Sequence, residues 1–230
     1  VTEPMPERLE DVISAREKQL TAYQNKRYAA RYHNLVEAVC SAVKQKAPDK
    51  GEELALAVAV NYAKVLSYKD EYEVARLYTT PSFKQALEQT FTGNYTLAFH
   101  FAAPLLAKKD PHTGLPKKRR MGAWAWGGLG VLAKLKGLRG SVFDPFAYTH
   151  DRRLERQIIS DYEVLIDTLI IGLTPDNYSL AVELASLPQG IRGFGHIKKQ
   201  HYDVVKNREV ALLKQFTGPG TPTGGQQHAA

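Results

Sequence analysis

Cysteine is nearly absent from this chain of 230 residues, in which Cys40 is the single one. An intramolecular disulfide needs two thiols, and an iron–sulfur cluster or a structural zinc site needs several thiolate or imidazole ligands. The chain alone therefore excludes a disulfide-stabilised fold and a resident cluster. Cys40 shares a helical side with Val36, Val39 and Val43, so we interpret it as a small buried hydrophobe and not as a nucleophile.

Long apolar runs are absent as well. No stretch reaches the roughly 18 residues that a membrane span requires. The charged start, MPERLEDVISAREKQ, lacks the apolar centre of a signal peptide. We therefore expect no membrane partner, no export and a cytoplasmic location, where a lone thiol stays reduced.

Acidic side chains are scarce in the middle of the chain. Between His100 and Ser160, 12 Lys and Arg residues stand against four Asp and Glu residues, and the whole chain has a net charge of +7. Six of these cations lie in a loop from Lys108 to Arg120. A solvated surface loop is the simplest interpretation, and attraction of an acidic partner subunit, a phosphate or nucleic acid is the alternative.

Apolar residues that recur every three or four positions predict helices over most of the chain. The predicted helices cover residues 7–46 as hairpins, 54–66, 72–77 with Pro81 after it, 152–172, 174–187 and 196–216. Thr174 and Pro175 form the N-cap and first-turn pair of the fifth segment, and Pro188 stops it. The helix over residues 152–172 has the most regular apolar face.

Two segments depart from this pattern. Residues 95–101 alternate between apolar and polar side chains, which predicts a strand that pairs with a short partner elsewhere in the chain or with another part of a larger protein. Residues 104–122 are predicted to be loop. The run WAWGGLGVLAKLKGLRG is apolar enough for a buried helix, and its glycines would permit close packing.

The predicted fold is therefore mainly α: one helical domain over residues 1–216 with one or two short strands. The tail over residues 217–230 has too little apolar content to fold and is predicted to be disordered. Val1 in place of an initiator methionine suggests an incomplete chain, and an alternative start codon or processing is the other explanation.

Four stretches resemble the C-terminal region of indolepyruvate ferredoxin oxidoreductases and related 2-oxoacid:ferredoxin oxidoreductases. They are KDEYEVARLYT at 69–79, FHFAAPLLAKKDPHTGLPKKRRMG at 99–122, LAKLKGLRGSVFDPFAYTHDRRLERQIISDYE at 132–163, and LPQGIRGFGHIKK at 187–199. Their order and spacing also match, so the resemblance covers about residues 5–205. Two departures stand out: Ala147 replaces a glycine, and GAWAW replaces a proline-containing segment.

The resemblance implies an enzyme that decarboxylates arylpyruvates on thiamine diphosphate, passes electrons through [4Fe-4S] clusters to ferredoxin and transfers the acyl group to coenzyme A. In that family the cofactor site and the cluster motifs lie in upstream domains. This chain has neither a C-x-x-C-x-x-C run nor a G-D-G motif. We therefore expect a C-terminal domain that binds no cofactor itself and whose partners are the catalytic domains or subunits of the same enzyme, with ferredoxin reached through the full enzyme.

One turn is a candidate ligand contact. Arg192, Gly193, Gly195 and His196 combine two glycines with cationic or titratable side chains, which lets backbone amides and a guanidinium approach a phosphate or coenzyme A group. The alternative is a structural turn in which Arg192 pairs with an internal carboxylate.

The remaining polar candidates are interpreted as structural. Arg139 and Asp144 lie in a short connection that a buried salt bridge would fix, and the acids at 70–73 lie within helical reach of Arg76. His100, His150 and His196 are too dispersed for a metal site, so neither a metal nor a catalytic residue is predicted.

The leading hypothesis is a structural and interaction domain of the oxidoreductase, inactive by itself. The alternative is a stand-alone basic accessory protein that binds nucleic acid through Lys108–Arg120. Nucleic acid is not the expected partner, because that stretch lacks the interleaved aromatic residues of many RNA-binding surfaces.

Overall fold

The computed structural model describes residues 8–93, 96–101 and 119–218. The described helices are α1 (Leu9–Tyr23), α2 (Lys26–Lys46), α3 (Glu53–Leu66), α4 (Glu71–Tyr78), α5 (Pro81–Thr90), α6 (Ala125–Lys134), α7 (His150–Gly172), α8 (Tyr178–Ser186) and α9 (Gly195–Phe216). Two strands, β1 (Phe99–Phe101) and β2 (Arg119–Met121), pair antiparallel with His100 opposite Arg120. The prediction of a mainly helical fold with one or two short strands is confirmed.

The chain divides into two compact units. Unit 1 comprises residues 1–68 and 154–230, and unit 2 comprises residues 69–153. The sequence predicts a single domain over residues 1–216. That the two units fold together as one domain stays a prediction. Most of the predicted disordered tail, residues 219–230, lies outside the described residues, as do residues 104–118 of the predicted loop.

Helix α3 is the centre of unit 1, where it contacts α1, α2 and α8. Its sequence, ELALAVAVNYAKVL, is apolar on almost every side, which suits a helix that is surrounded by others. Tyr62 of α3 stacks between Tyr32 of α2 and Tyr162 of α7, with ring centroids 6.0 Å apart in both pairs. The Tyr62 hydroxyl donates a hydrogen bond to Glu163, which also receives two hydrogen bonds of 2.7 Å from Arg31. This stack joins the N-terminal and C-terminal parts of unit 1.

Unit 2 is built on α4 and α6, which pack together, with α5 and the two-stranded sheet beside them. Among the residues of unit 2 that the structure describes, the buried apolar side chains are few: Tyr72, Ala75, Phe99, Ala125 and Ala147. The predicted strand over residues 95–101 is shorter than expected, and β2 replaces the end of the predicted loop at 104–122. β2 is the short partner within the chain that a lone strand requires.

Two helix starts differ from the prediction. Pro81 does not only end α4: it is the first residue of α5, where Thr80 accepts a 3.3 Å hydrogen bond from the Phe83 amide. A proline at this position loses no hydrogen bond, because the first amides of a helix have no internal partner. Helix α8 begins at Tyr178 and not at Thr174, since Thr174 and Asn177 cap each other through hydrogen bonds of 2.8 and 3.3 Å.

The segment around α6 forms a helix, as predicted. The prediction that this helix is buried is wrong. Only Ala125 of α6 is buried, and Trp124 and Val131 are 75% and 61% exposed. The glycines do not serve close packing within the described chain either, because a Cβ atom on Gly127, Gly128 or Gly130 would have no neighbour within 4 Å.

Candidate functional site

The predicted ligand turn lies in unit 1, between a short 3₁₀ helix at Leu187–Gly190 and the start of α9. Gly193 has a φ of +86° and Gly195 a φ of +56°, so both use the left-handed region that favours glycine. A Cβ atom on Gly193 would also come within 2.9 Å of the Ile197 side chain. The two glycines are therefore required by the backbone of the turn, whatever it binds.

Arg192 and His196 are both exposed. The Arg192 Nε donates a 3.2 Å hydrogen bond to the Gln189 carbonyl, which holds the guanidinium over the 3₁₀ helix. Within the part of the chain that the structure describes, no carboxylate forms an ion pair with Arg192, contrary to the structural alternative. His196 lies in the first turn of α9, whose N-cap residue, Phe194, provides no side-chain hydrogen bond.

Positive charge surrounds this turn. Lys64 of α3 donates hydrogen bonds of 2.7 and 3.3 Å to the Pro188 and Gln189 carbonyls. Burial lowers the pKa of Lys64, and repulsion from Arg192 and Lys198 lowers it further. Because a helix N-terminus also carries partial positive charge, the turn offers an anion an attractive potential.

A groove of about 380 Å³ lies beside the turn, lined by α8, the 3₁₀ helix and α9. His201 lines it and places its Nδ1 2.9 Å from the Arg192 carbonyl. A carbonyl oxygen only accepts, so this contact puts the proton on Nδ1 and leaves Nε2 of the neutral ring as an acceptor. Ser186 also lines the groove but donates its hydroxyl to the Val182 carbonyl at 2.8 Å. The groove therefore provides contacts for binding rather than an activated nucleophile.

Sequence reasoning missed Lys64 and His201. Lys64 had one usable signal, because it is the only cation in the mostly apolar sequence of α3. His201 had none, since the sequence does not show that a side chain in the second turn of α9 reaches back to the Arg192 carbonyl, nine residues earlier.

Unit 2 contains a buried ion pair that the sequence analysis assigned to a different partner. Arg139 and Asp144 are both buried, but Arg139 pairs with Asp70, through Nε at 2.5 Å and Nη2 at 3.0 Å. Asp70 also caps α4 by accepting a 2.8 Å hydrogen bond from the Glu73 amide. One carboxylate thus fixes both the start of α4 and the arginine.

Asp144 stabilises its own loop instead. It accepts hydrogen bonds from the Tyr72 hydroxyl at 3.0 Å, the Gly140 amide at 2.8 Å and the Phe146 amide at 3.0 Å. Gly140 has a φ of +73°, so the loop needs glycine there. Two of the stretches that carry the family resemblance, 69–79 and 132–163, are joined by these contacts.

Of the acids around Asp70, Glu73 forms the expected ion pair with Arg76, whereas Glu71 lies near a different arginine. Glu73 receives two hydrogen bonds from Arg76, at 2.8 and 2.7 Å, and Glu71 lies 3.5 Å from Arg152. Burial raises the pKa of Glu71, and the nearby Arg152 opposes that rise only in part. This cluster is consistent with a structural role for the acids.

Cys40 is half-buried rather than buried and packs against the core of unit 1. Burial raises the pKa of its thiol, so at neutral pH the group is a thiol and not the reactive thiolate. Among the described residues, no three His, Cys, Asp or Glu side chains lie together in a way that would hold a metal ion. Likewise, no helix of the described ranges is long and apolar enough to cross a membrane.

The comparison with protein families gives one match. A family model described as a family of unknown function, DUF6537, matches residues 9–210. The chain belongs to this family. The match covers α1 to most of α9, so it includes all of unit 2 and most of unit 1 of the DUF6537 chain. No curated protein and no solved structure matches the chain.

Proposed function

We propose that this DUF6537 chain is a structural and interaction domain of a cytoplasmic 2-oxoacid:ferredoxin oxidoreductase, an enzyme that converts arylpyruvates to acyl-coenzyme A and reduces ferredoxin. The observation that carries the proposal is the set of four stretches, at 69–79, 99–122, 132–163 and 187–199, that resemble such enzymes in order and spacing. The partners are the catalytic domains or subunits of that enzyme.

The contacts of the resembling stretches support a structural role. Asp70 and Arg139, from two of these stretches, form an ion pair whose side chains are 2% and 3% exposed. Residues this deeply buried contact neither substrate nor cofactor from solvent. Such a pair fixes one arrangement of its loops, because either charge would be costly without the other.

The chain's own residues do not fit the cofactors of the family enzyme. A [4Fe-4S] cluster requires about four thiolates, and the chain has one cysteine. Burial raises the pKa of that thiol. Thiamine diphosphate and the clusters therefore belong to other domains of the assembled enzyme.

The test is to assay the purified chain alone and with the catalytic polypeptide of such an oxidoreductase. With indolepyruvate or phenylpyruvate, thiamine diphosphate, coenzyme A and ferredoxin supplied, the chain alone is expected to be colourless and inactive. It is expected to bind the catalytic polypeptide, as measured by calorimetry. Turnover by the chain alone, or no binding, would contradict the proposal.

Within the assembled enzyme we further propose that the turn at Arg192, Gly193, Gly195 and His196 contacts a phosphate of coenzyme A. Arg192, Lys64 and the uncapped start of α9 support this, since all three attract an anion. Arg192→Ala should weaken coenzyme A binding to the assembled enzyme, whereas Arg27→Ala, an exposed arginine of α2, should not. Equal affinities for the two variants would exclude the contact.

The alternative function, binding of nucleic acid by a basic accessory protein, rests on the cations of residues 108–120. It predicts tight binding to a 20-nucleotide RNA that weakens steeply as salt rises, because bound phosphates release counterions. Absence of binding at low salt would exclude it.

A further inference from the structure

Helix α6 of unit 2 has apolar residues on two opposite faces. The inner face is packed: Trp126 contacts the rings of Phe83 and Phe99, with centroids 6.1 and 5.9 Å away, and Ala125 is buried. A helix that is apolar on all sides is normally buried on all sides. The other face of α6 is not.

The outer face consists of Trp124, Gly128, Val131 and Leu135, which are spaced by four, three and four residues and therefore share one side. Trp124, Val131 and Leu135 are 75%, 61% and 43% exposed. We call these four residues the α6 outer face. Large apolar side chains grouped on one exposed side mark interaction surfaces more often than isolated ones do.

The glycines of α6 have no explanation inside the described chain. Gly127 and Gly128 are exposed, lie in ordinary helical backbone and would have no atom within 4 Å of an added Cβ. Glycine destabilises a helix relative to alanine. Two adjacent glycines therefore destabilise α6, and no packing contact within the described chain compensates for that loss. Because neither glycine has a side chain, a second backbone can approach the helix closely between Trp124 and Val131.

Unit 2 as a whole is poorly covered. Among its described residues, five apolar side chains are buried, but eight large ones are exposed: Leu77, Phe91, Trp124, Val131, Leu135, Val142, Phe143 and Tyr148. A unit with so small a core gains stability when another protein covers part of that surface.

The charge of unit 2 indicates what covers it. Unit 2 holds 14 of the 31 Lys and Arg residues but seven of the 24 Asp and Glu residues, so it carries the entire net charge of +7 and unit 1 carries none. No acid occurs between Asp110 and Asp144. Arg120, which precedes the α6 outer face along the chain, and Lys134, next to Leu135, are both exposed. Two copies of such a surface repel each other, whereas a surface bordered by carboxylates is attracted.

We propose that the α6 outer face docks on an apolar surface bordered by carboxylates on the catalytic polypeptide of the oxidoreductase, with the partner backbone seated over Gly127 and Gly128. This deepens the proposed function and rests on it. The apolar residues supply the affinity, and the cations orient the encounter.

The test measures binding of the whole chain to the purified catalytic polypeptide by calorimetry, at low and high salt. Val131→Asp places a charge in the centre of the α6 outer face and is expected to weaken binding at least about tenfold. The matched control is Val210→Asp, at a 51% exposed valine on α9 of unit 1, which should bind like the unchanged chain. Gly128→Leu adds a side chain where the partner backbone would lie and should also weaken binding, and circular dichroism verifies that every variant is folded.

Every outcome of this experiment either supports or overturns the proposed docking surface. Loss of binding in Val131→Asp and Gly128→Leu but not in Val210→Asp, with affinity that falls as salt rises, supports the docking surface. Equal binding by all variants overturns it while leaving the proposed function intact, whereas no binding by the unchanged chain overturns the proposed function as well. Dimerisation of the chain that Val131→Asp abolishes, or preferential binding of a 20-nucleotide RNA, overturns the choice of partner.

Discussion

Unit 1 and unit 2 are stabilised by different kinds of interaction. Unit 1 surrounds an apolar helix, α3, with others and carries no net charge, whereas unit 2 has a small core, a buried ion pair between Asp70 and Arg139 and the whole net charge of the chain. Apolar burial stabilises without requiring one exact geometry. A buried ion pair contributes less net stability but penalises every arrangement in which its charges separate. Unit 1 is thus suited to be a scaffold, and unit 2 to present a defined surface.

The substitution with the largest expected effect on this difference between the units is Asp70→Ala in unit 2. It leaves the Arg139 charge buried without its carboxylate and removes the cap of α4, so we expect a loss of about 3–5 kcal/mol in the free energy of unfolding of unit 2. Urea denaturation followed by hydrogen exchange in α4 measures it. The control is the double variant Asp70→Leu with Arg139→Met, which should recover much of the loss because no charge stays buried. A cost below about 1 kcal/mol for Asp70→Ala would refute the role of the pair.

In unit 1 the corresponding change is Leu66→Ala, at a fully buried position of α3. The cavity should cost about 2–5 kcal/mol. Leu77→Ala, at a 45% exposed leucine of unit 2, is the matched control and should change stability by no more than about 0.5 kcal/mol. Similar losses for the two leucines in thermal denaturation would mean that the apolar surface of unit 2 is covered in the isolated chain.

The smallest expected effect concerns pH. Burial raises the pKa of Glu71 in the folded chain above its value in the unfolded chain, so the folded state binds more protons and stability falls as pH rises through that interval. Glu71→Gln should remove this part of the fall and leave stability below the unfolded pKa unchanged. Urea midpoints between pH 4 and 7 measure it; a variant that loses stability at pH 7 but not at pH 4 would show that the attraction to Arg152 outweighs burial.

The regular spacing of apolar residues was sufficient to predict a helix where that helix packs through one side only. The helix predicted over residues 152–172 is α7 almost to the residue, because its apolar face recurs regularly and Gly172 ends it. The helix beginning at Pro81 was missed, although Thr80 followed by proline is itself a helix-start signal. For α6, composition predicted a helix but not its exposure, since apolar content does not say which chain covers it.

The sites show the same limit. The glycines at 193 and 195 were predictable as a turn, because their backbone requirement is local. The partner of Arg139 was not, because Asp70 lies 69 residues earlier and only the packing of α4 against its neighbours brings the two together. Lys64 reaches the turn across an even longer interval, 124 residues before Pro188.

The tyrosine stack of unit 1 has a consequence for synthesis at the ribosome. Tyr32 and Tyr62 belong to the first segment of unit 1 and Tyr162 to the second, with unit 2 encoded between them. At ordinary elongation rates, translating the residues from Tyr68 to Tyr162 takes on the order of ten seconds. During that time α1, α2 and α3 leave the exit tunnel, while the side of α3 that α8 covers in the folded unit stays exposed. A chaperone that binds nascent apolar helices therefore has a defined interval in which to act, and the interval ends when α7 and α8 emerge.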